Sequence, residues 1–179
     1  TLNTARVEEA GLDIPSVKEV TQIDGKWALV IEYKDGKTME EMMKVDPTNL
    51  EKYMNDFVDL QLSVTSKKAP LLNKMKDKFA RQINGLKVLD ATQDMTDDTT
   101  GKYAEADKIC HGDFNPSNVI VGKNGKMTVI DWAHVTQGNA SADAAMTYLL
   151  FALESQEKQI VPEDFCKKSD TAMQYVQQW

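Results

Sequence analysis

The chain has 179 residues, 41% of them hydrophobic and 27% charged, which is the composition of a soluble globular protein with one core, or with a large and a small lobe. Its formal net charge of −7 argues against general nucleic-acid binding, which requires basic surface, and is compatible with a cationic small substrate or simply with solubility. Two cysteines, Cys110 and Cys166, are too few for a disulfide framework, so we expect reduced thiols. No apolar run is long enough to span a membrane, so we expect a cytoplasmic protein with no membrane partner.

The N-terminal residues predict a helix followed by a β-hairpin. Residues 2–10 have a helical pattern that ends at Gly11. Residues 17–23 and 27–33 are rich in β-branched and aromatic side chains, and the Asp24-Gly25 pair between them favours a tight turn. We therefore expect these two segments to pair as antiparallel strands.

Three helices are predicted in the next part of the sequence. Thr38 and Glu41 have the spacing of a capping box, which starts a short helix rich in methionine. Asp46-Pro47 predicts the N-cap and first position of a longer helix, and Gln61 falls on its apolar stripe, where it is interpreted as a polar residue at the stripe's margin. A third amphipathic helix is expected over residues 71–89, with basic side chains on its solvated face.

Two short β-rich runs, residues 119–121 and 127–130, organise the centre of the chain. The residues between them include an Asn-Gly step, which suits a hairpin turn. If the strands pair, Asp131 returns beside Asn118, with Asp113 close by. Two carboxylates and an amide supply the oxygen atoms that Mg²⁺ prefers, and phosphate oxygens complete its coordination.

The sequence after this hairpin predicts a loop over residues 132–140 and then a helix capped by Ser141. The apolar stripe of this helix is expected to comprise Ala145, Met146, Leu149, Leu150 and Leu153. Residues 92–100 predict a loop, and residues 162–179 predict a last helical region.

The acidic and amide residues of the centre have a spacing that protein-kinase-like folds use for phosphoryl transfer. His111, Asp113 and Asn118 precede the hairpin, and Asp131 follows it. In such folds a loop aspartate meets the acceptor hydroxyl, while a loop asparagine and a later aspartate bind metal. The roles are separate because metal-bound oxygens neutralise the charge of the phosphoryl group, while an unmetallated carboxylate deprotonates the incoming alcohol.

The block His-Gly-Asp-Phe-Asn-Pro-Ser-Asn-Val-Ile-Val, followed after the turn by Val-Ile-Asp-Trp, closely resembles the aminoglycoside phosphotransferase and choline kinase family. The resemblance implies an ATP-dependent small-molecule kinase with an α+β, protein-kinase-like fold. It implies that Asp113 is the catalytic base and that Asn118 and Asp131 are magnesium ligands. His111 would then be a structural member of the loop, and Asp143 would anchor that loop through hydrogen bonds.

The same resemblance implies two lobes. Residues 1–36 would be a partial N-terminal lobe with a helix, a β-hairpin and an interlobe hinge, and residues 37–179 a mainly helical catalytic lobe with the catalytic-loop hairpin. Glu32, Tyr33 and Lys34 fall at the hinge, whose backbone groups hold the adenine of ATP in such kinases.

The sequence also departs from the family. The glycine-containing phosphate loop, the strand lysine and the glutamate that pairs with it cannot be placed, the chain starts at Thr1 without a methionine, and it stops at Trp179 within an apolar helical pattern. We therefore expect that part of a longer parent is missing, that this chain alone binds nucleotide weakly, and that self-association could complete the lobe. Gln61 stands where relatives often have histidine, and Ala133 where many have glycine.

Three functions are compatible with these residues. The favoured one is an ATP-dependent phosphotransferase acting on a hydroxyl of a small molecule, such as an aminoglycoside or an amino alcohol. The second is a catalytically impaired kinase-like remnant that acts as a binding module or as part of an assembly. A metal-dependent hydrolase using His111, Asp113, Asp131 and His134 is weakly supported, because two histidines offer few of the imidazole ligands that such sites favour.

Overall fold

The computed structural model describes residues 2–85 and 106–158, which contain five helices and seven strands. The helices are α1 (Leu2–Glu9), α2 (Met39–Val45), α3 (Leu50–Thr65), α4 (Met75–Gly85) and α5 (Ala140–Lys158). The strands are β1 (Val17–Ile23), β2 (Lys26–Ile31), β3 (Lys37–Thr38), β4 (Lys108–Cys110), β5 (Val119–Val121), β6 (Met127–Val129) and β7 (Thr136–Gly138). Short 3₁₀ turns lie at Pro47–Asn49, Pro116–Asn118 and Trp132–His134.

The N-terminal helix and hairpin are confirmed. Gly11 follows α1 with a φ of +80°, a left-handed conformation that glycine adopts without strain. Strands β1 and β2 pair antiparallel, and Asp24 and Gly25 both have positive φ, as a two-residue type I′ turn requires. The division of the chain at residue 36 into two lobes stays a prediction.

The core of the molecule forms where α2 packs against β5 and the turn at residues 116–118, and where α3 packs against β4. The capping box of α2 is confirmed, since the Thr38 hydroxyl accepts the Glu41 amide at 3.1 Å and the Glu41 carboxylate accepts the Thr38 amide at 2.8 Å. Strands β3, β5 and β6 form one antiparallel sheet in that order. The largest side chains buried at this junction include Met39, Phe57 and Phe114.

The predicted start of the long helix was wrong by one turn. Residues 47–49 form a separate 3₁₀ turn, and α3 begins at Leu50. Asp46 makes no side-chain bond to a helix amide, because its carboxylate instead accepts the Thr48 hydroxyl at 2.6 Å and the Asn49 side-chain amide at 2.7 Å. The side chains of Thr48 and Asn49 thus bind the Asp46 carboxylate that was expected to cap the helix.

The prediction of a loop throughout residues 132–140 was also wrong. Strand β7 lies within that segment and pairs antiparallel with β4, with Ile109 opposite Gln137. Both strands have only three residues, which is too short for an alternating pattern to be recognised in the sequence. This small sheet brings the start of the loop at residues 111–118 beside the segment that follows the hairpin.

The last described helix is capped and oriented differently from the prediction. The Asn139 side chain, rather than Ser141, caps α5 by accepting the Ser141 amide at 2.9 Å. The buried face includes Asp143 and Thr147, whereas Leu149 of the expected apolar stripe is 51% exposed. The helix therefore presents polar groups to the interior, which an apolar pattern cannot indicate.

Several predictions concern residues beyond these ranges. The loop at residues 92–100, the helical region at 162–179 and Cys166 lie outside the described residues, as does the expected end of the helix at residue 89. The described part of that helix begins at Met75 rather than at residue 71. Cys110 is buried and is not in a disulfide. Within the two described ranges, no helix is both long and apolar enough to cross a membrane.

Candidate active site

The central hairpin forms as predicted and brings the two predicted metal ligands to one end. Strands β5 and β6 pair with Val119 opposite Val129. Beyond that pair, the Ile130 amide donates to the Asn118 carbonyl at 2.9 Å. Asn118 and Asp131, the residue after Ile130, therefore leave the hairpin at the same end.

Asp113 is held by two side-chain amides. The Asn118 side-chain amide donates to its carboxylate at 3.1 Å and to its backbone carbonyl at 2.9 Å. The Asn115 side-chain amide donates to the other carboxylate oxygen at 3.0 Å. Both oxygens of the partly buried Asp113 carboxylate thus have a neutral donor, which fixes its orientation without an ion pair.

The backbone on either side of Asp113 is fixed by buried contacts. Gly112 has a φ of +80°, and a Cβ at this position would lie 2.9 Å from the His134 carbonyl, so only glycine fits. Its amide donates to the Asp143 carboxylate at 2.7 Å. On the other side, the buried Phe114 ring packs against Phe57 with ring centroids 4.7 Å apart.

His111 is a neutral residue that links the loop to the hairpin. The Ile130 carbonyl lies 3.0 Å from Nε2, and since a carbonyl only accepts, Nε2 carries the proton. Nδ1 in turn accepts the Asp113 amide at 3.3 Å. Burial lowers the pKa of His111, against the opposing effects of the Ile130 carbonyl and of Asp143. Both ring nitrogens thus have partners, one at Ile130 and one in the loop, while the role of His111 as a structural member of the loop stays a prediction.

Asp143 is buried below the same loop. Burial raises the pKa of its carboxyl, while the hydrogen bond from the Gly112 amide acts in the opposite direction. Gln61 also donates to this carboxylate at 3.4 Å. Asp143 therefore contacts both the loop and α3, while its role as the anchor of the loop stays a prediction.

The sequence did not predict that Gln61 and Thr147 belong to this network. Gln61 is only 9% exposed, so the interpretation as a marginal polar residue was wrong, and its side-chain amide donates to the Thr147 hydroxyl at 2.9 Å. That hydroxyl donates to the Phe114 carbonyl at 3.0 Å. The only available signals were a glutamine on an apolar stripe and the four-residue spacing of Asp143 and Thr147, which places them on one helix face.

Asp131 lies at the exposed end of the site in a left-handed backbone conformation, with φ of 59° and ψ of 65°. Its carboxylate accepts the Ala133 amide at 3.4 Å. Within the described ranges, no three His, Cys, Asp or Glu side chains are grouped to hold a metal. Asn118 and Asp131 offer oxygen donors that suit Mg²⁺, whose coordination relies largely on water and phosphate oxygens, so the residues present fit this ion.

The three predicted hinge residues lie directly after β2. Glu32 accepts the Lys34 ammonium at 2.8 Å and the Ser16 hydroxyl at 3.2 Å. The hydrogen bond from Lys34, followed by that from the Ser16 amide, lowers the pKa of Glu32 to about 2. Tyr33 is 83% exposed. The described contacts do not join these residues to Asp113.

A cleft of about 300 Å³ opens beside Asp113, between α4 and α5. Its lining residues are Met75, Lys78, Phe79, Gln82, Gly112, Asp113, His134, Thr136, Ala142, Asp143 and Met146. A cleft that contains the predicted base is the position where a small acceptor can meet it.

The sequence matches the model of the phosphotransferase enzyme family over residues 5–163. The chain belongs to this family. This match confirms the predicted family, and it extends well beyond the sequence block at residues 111–121 that carried the resemblance. Among curated proteins, none matches the sequence.

Solved structures of two phosphotransferases resemble this family member. A thermostable mutant of aminoglycoside phosphotransferase APH(4)-Ia, in its apo form, is 16% identical and has a TM-score of 0.57, over 80% of this chain and 60% of that one. Choline kinase LicA from Streptococcus pneumoniae is 17% identical and has a TM-score of 0.50, over 98% of this chain and 69% of that one. The chain therefore spans about three fifths to two thirds of their lengths, and the likeness confirms the α+β, protein-kinase-like fold.

Proposed function

We propose that this phosphotransferase-family chain carries the catalytic centre of an ATP-dependent kinase for a hydroxyl group of a small molecule. The observation that carries the proposal is the environment of Asp113. Its carboxylate is oriented by two amides, its flanking residues are held by α5 and the core, and it lines a cleft of small-molecule size. Positioning of this kind is what phosphoryl transfer chiefly requires of a protein.

In the proposed reaction, Asp113 accepts the proton of the acceptor hydroxyl. The hydroxyl oxygen forms a bond to the γ-phosphorus of ATP, and the bond from that phosphorus to the oxygen bridging the β-phosphate breaks, so that ADP leaves. Asn118 and Asp131 are proposed to hold Mg²⁺, which when bound neutralises charge on the phosphate oxygens. The backbone of Glu32, Tyr33 and Lys34 is proposed to bind the adenine.

Replacement of Asp113 tests the proposal. Asp113→Asn keeps the shape of the side chain and removes the base, so we expect the rate of phosphoryl transfer to fall by about 10²- to 10⁴-fold while the fold is retained. The measurement is ADP release from MgATP in the presence of hydroxylated acceptors, with circular dichroism to verify the fold.

Asp59→Asn is the matched control, because Asp59 lies on the exposed face of α3. Its transfer rate should equal that of the unmodified chain. Equal rates for Asp113→Asn and Asp59→Asn would refute the role of Asp113 and, with it, the proposed reaction.

A further inference from the structure

The charged residues of the cleft beside Asp113 differ in how many hydrogen-bond partners the protein gives them. Helix α4 supplies Lys78 to its wall, and Lys78 is the only Lys or Arg among the lining residues that the structure describes. Its ammonium donates to the His134 carbonyl at 3.0 Å and, within the described ranges, has no carboxylate within 4.0 Å. An ammonium has three donors, so this single bond leaves others for a ligand.

The two carboxylates of the same cleft are already satisfied by donors of the protein. Asp143 accepts the Gly112 amide and the Gln61 side chain. Asp113 accepts the side-chain amides of Asn115 and Asn118. The anionic groups of the cleft therefore have hydrogen-bond donors from the protein, whereas the Lys78 ammonium has only a backbone oxygen among the residues that the structure describes.

Partial burial makes this imbalance energetically relevant. Loss of solvent around Lys78 lowers the pKa of its ammonium, which means that the charged form is less well solvated here than in water. An anionic group of a ligand would restore the missing interaction through a charge-assisted hydrogen bond. The rest of the wall is partly apolar, with Met75, Phe79 and Met146, and suits the carbon skeleton of a small molecule.

We propose that Lys78 binds an anionic group of the acceptor, a carboxylate or a phosphate, while Asp113 receives the proton of its hydroxyl. The inference rests on the proposed kinase function and names the class of its substrate, a negatively charged hydroxyl compound. It replaces the cationic acceptor with which the overall net charge is compatible, because the Lys78 ammonium lies in the wall of the cleft, where it acts on the substrate at contact distance.

Two sets of probes with a common skeleton test the charge preference. The first comprises glycerate, glycerol and serinol, and the second comprises gluconate, glucitol and glucamine; each set has an anionic, a neutral and a cationic member. Binding is followed by NMR titration of the Gly112 amide in the presence of Mg²⁺ and a non-hydrolysable ATP analogue, and transfer is followed by ADP release from MgATP.

We expect the anionic member of at least one set to bind about tenfold more tightly than its neutral and cationic counterparts. Lys78→Met should abolish that ratio, and Lys78→Arg should retain it. Lys76→Met, on the same helix but outside the lining of the cleft, is the control and should leave the ratio unchanged.

Three results would overturn the inference: a preference for the cationic members, binding without any Lys78-dependent preference for the anions, or an equal loss for all members in Lys78→Met, as expected if Lys78 only tethers α4 to His134. A Lys78-dependent anion preference without transfer to any acceptor would support the anion site and count against the kinase function. The binding and transfer measurements thus distinguish failure of the two proposals.

Discussion

At the scale of single residues, Asp131 has the most constrained backbone of the candidate site. Its φ of 59° lies in the left-handed region, which disfavours most residues but is tolerated by Asp and Asn. In the described ranges, Asp24 is the only other non-glycine residue with positive φ, and it lies in the β1–β2 turn. A left-handed residue in a hairpin turn follows from the turn type, whereas one two residues beyond the end of β6 points to a functional constraint.

Asp131→Asn separates the metal role from the backbone role. Asparagine tolerates the same conformation and keeps an oxygen for the Ala133 amide, so the free energy of unfolding should change little. The loss of charge should raise the Mg²⁺ concentration that gives half-maximal transfer by about tenfold or more, since even changes to groups behind a metal ligand have effects of this size.

Asp24→Asn is the control for this substitution, because it makes the same chemical change at a similar backbone conformation. Its Mg²⁺ dependence should match that of the unmodified chain. An unchanged Mg²⁺ dependence in Asp131→Asn would remove Asp131 from the proposed ligand set.

At the scale of secondary-structure elements, α5 holds the loop on both sides of the proposed base. Asp143 binds the Gly112 amide and Thr147 binds the Phe114 carbonyl, one helical turn apart. Gln61 connects both of these side chains to α3. Two helices and the loop therefore share one buried hydrogen-bond network, and a change at any member affects the position of Asp113.

Thr147→Val tests this network. Valine has the shape of threonine but leaves the Phe114 carbonyl without its buried donor, so we expect a loss of about 1–3 kcal/mol in the free energy of unfolding. The transfer rate should also fall, because the loop next to Asp113 loses its attachment. Urea denaturation and ADP release measure the two effects.

Thr147→Ser keeps the hydroxyl and should restore most of the transfer rate, although it loses one buried methyl group. Equal transfer rates in Thr147→Val, Thr147→Ser and the unmodified chain would show that the network does not position Asp113.

The features that the sequence predicted correctly are local ones. The capping box at Thr38 and Glu41 and the β5–β6 hairpin depend on residues only a few positions apart, so short patterns indicate them. The β4–β7 pairing and the bond from Lys78 to the His134 carbonyl join segments more than 20 residues apart. No local pattern specifies such contacts, because they depend on how complete elements pack.

The same distinction applies within the site. Asp113 and Asn118 share one loop, so their proximity follows from the motif, and the hairpin then brings Asp131 to the same end. Gln61 looked like a marginal polar residue because its partners, Asp143 and Thr147, are 82 and 86 residues away. The burial of Gln61 depends on the packing of α3 against α5, which no local pattern specifies.

At the scale of the whole molecule, His111 is a titratable group at the centre of the buried structure. It is fully buried, and its ring contacts Phe114 and Trp132 at centroid distances of 5.7 and 4.7 Å. Nε2 donates to Ile130 and Nδ1 accepts from Asp113, so both nitrogens are used in the neutral form. Protonation of Nδ1 would break the second bond and place a charge in the core.

The pH dependence of stability should reveal this neutral histidine. Burial lowers the pKa of folded His111, so below about pH 6.5 the unfolded chain binds a proton that the folded chain does not. Its contribution to stability is therefore complete above that pH and is lost as the pH falls towards the folded pKa, by at most about 1.4 kcal/mol per pH unit. Urea denaturation between pH 7.5 and 5.5 measures this slope.

His111→Gln should show a flatter slope than the unmodified chain over this range. Asp143 contributes with the opposite sign, because burial raises its pKa, and it is present in every variant compared. The chain has only two histidines, and the second, His134, is exposed, so His134→Gln is the matched control for the loss of an imidazole. Identical slopes in all three proteins would mean that His111 takes up its proton as readily in the folded as in the unfolded chain, which would contradict the neutral tautomer assigned to the site.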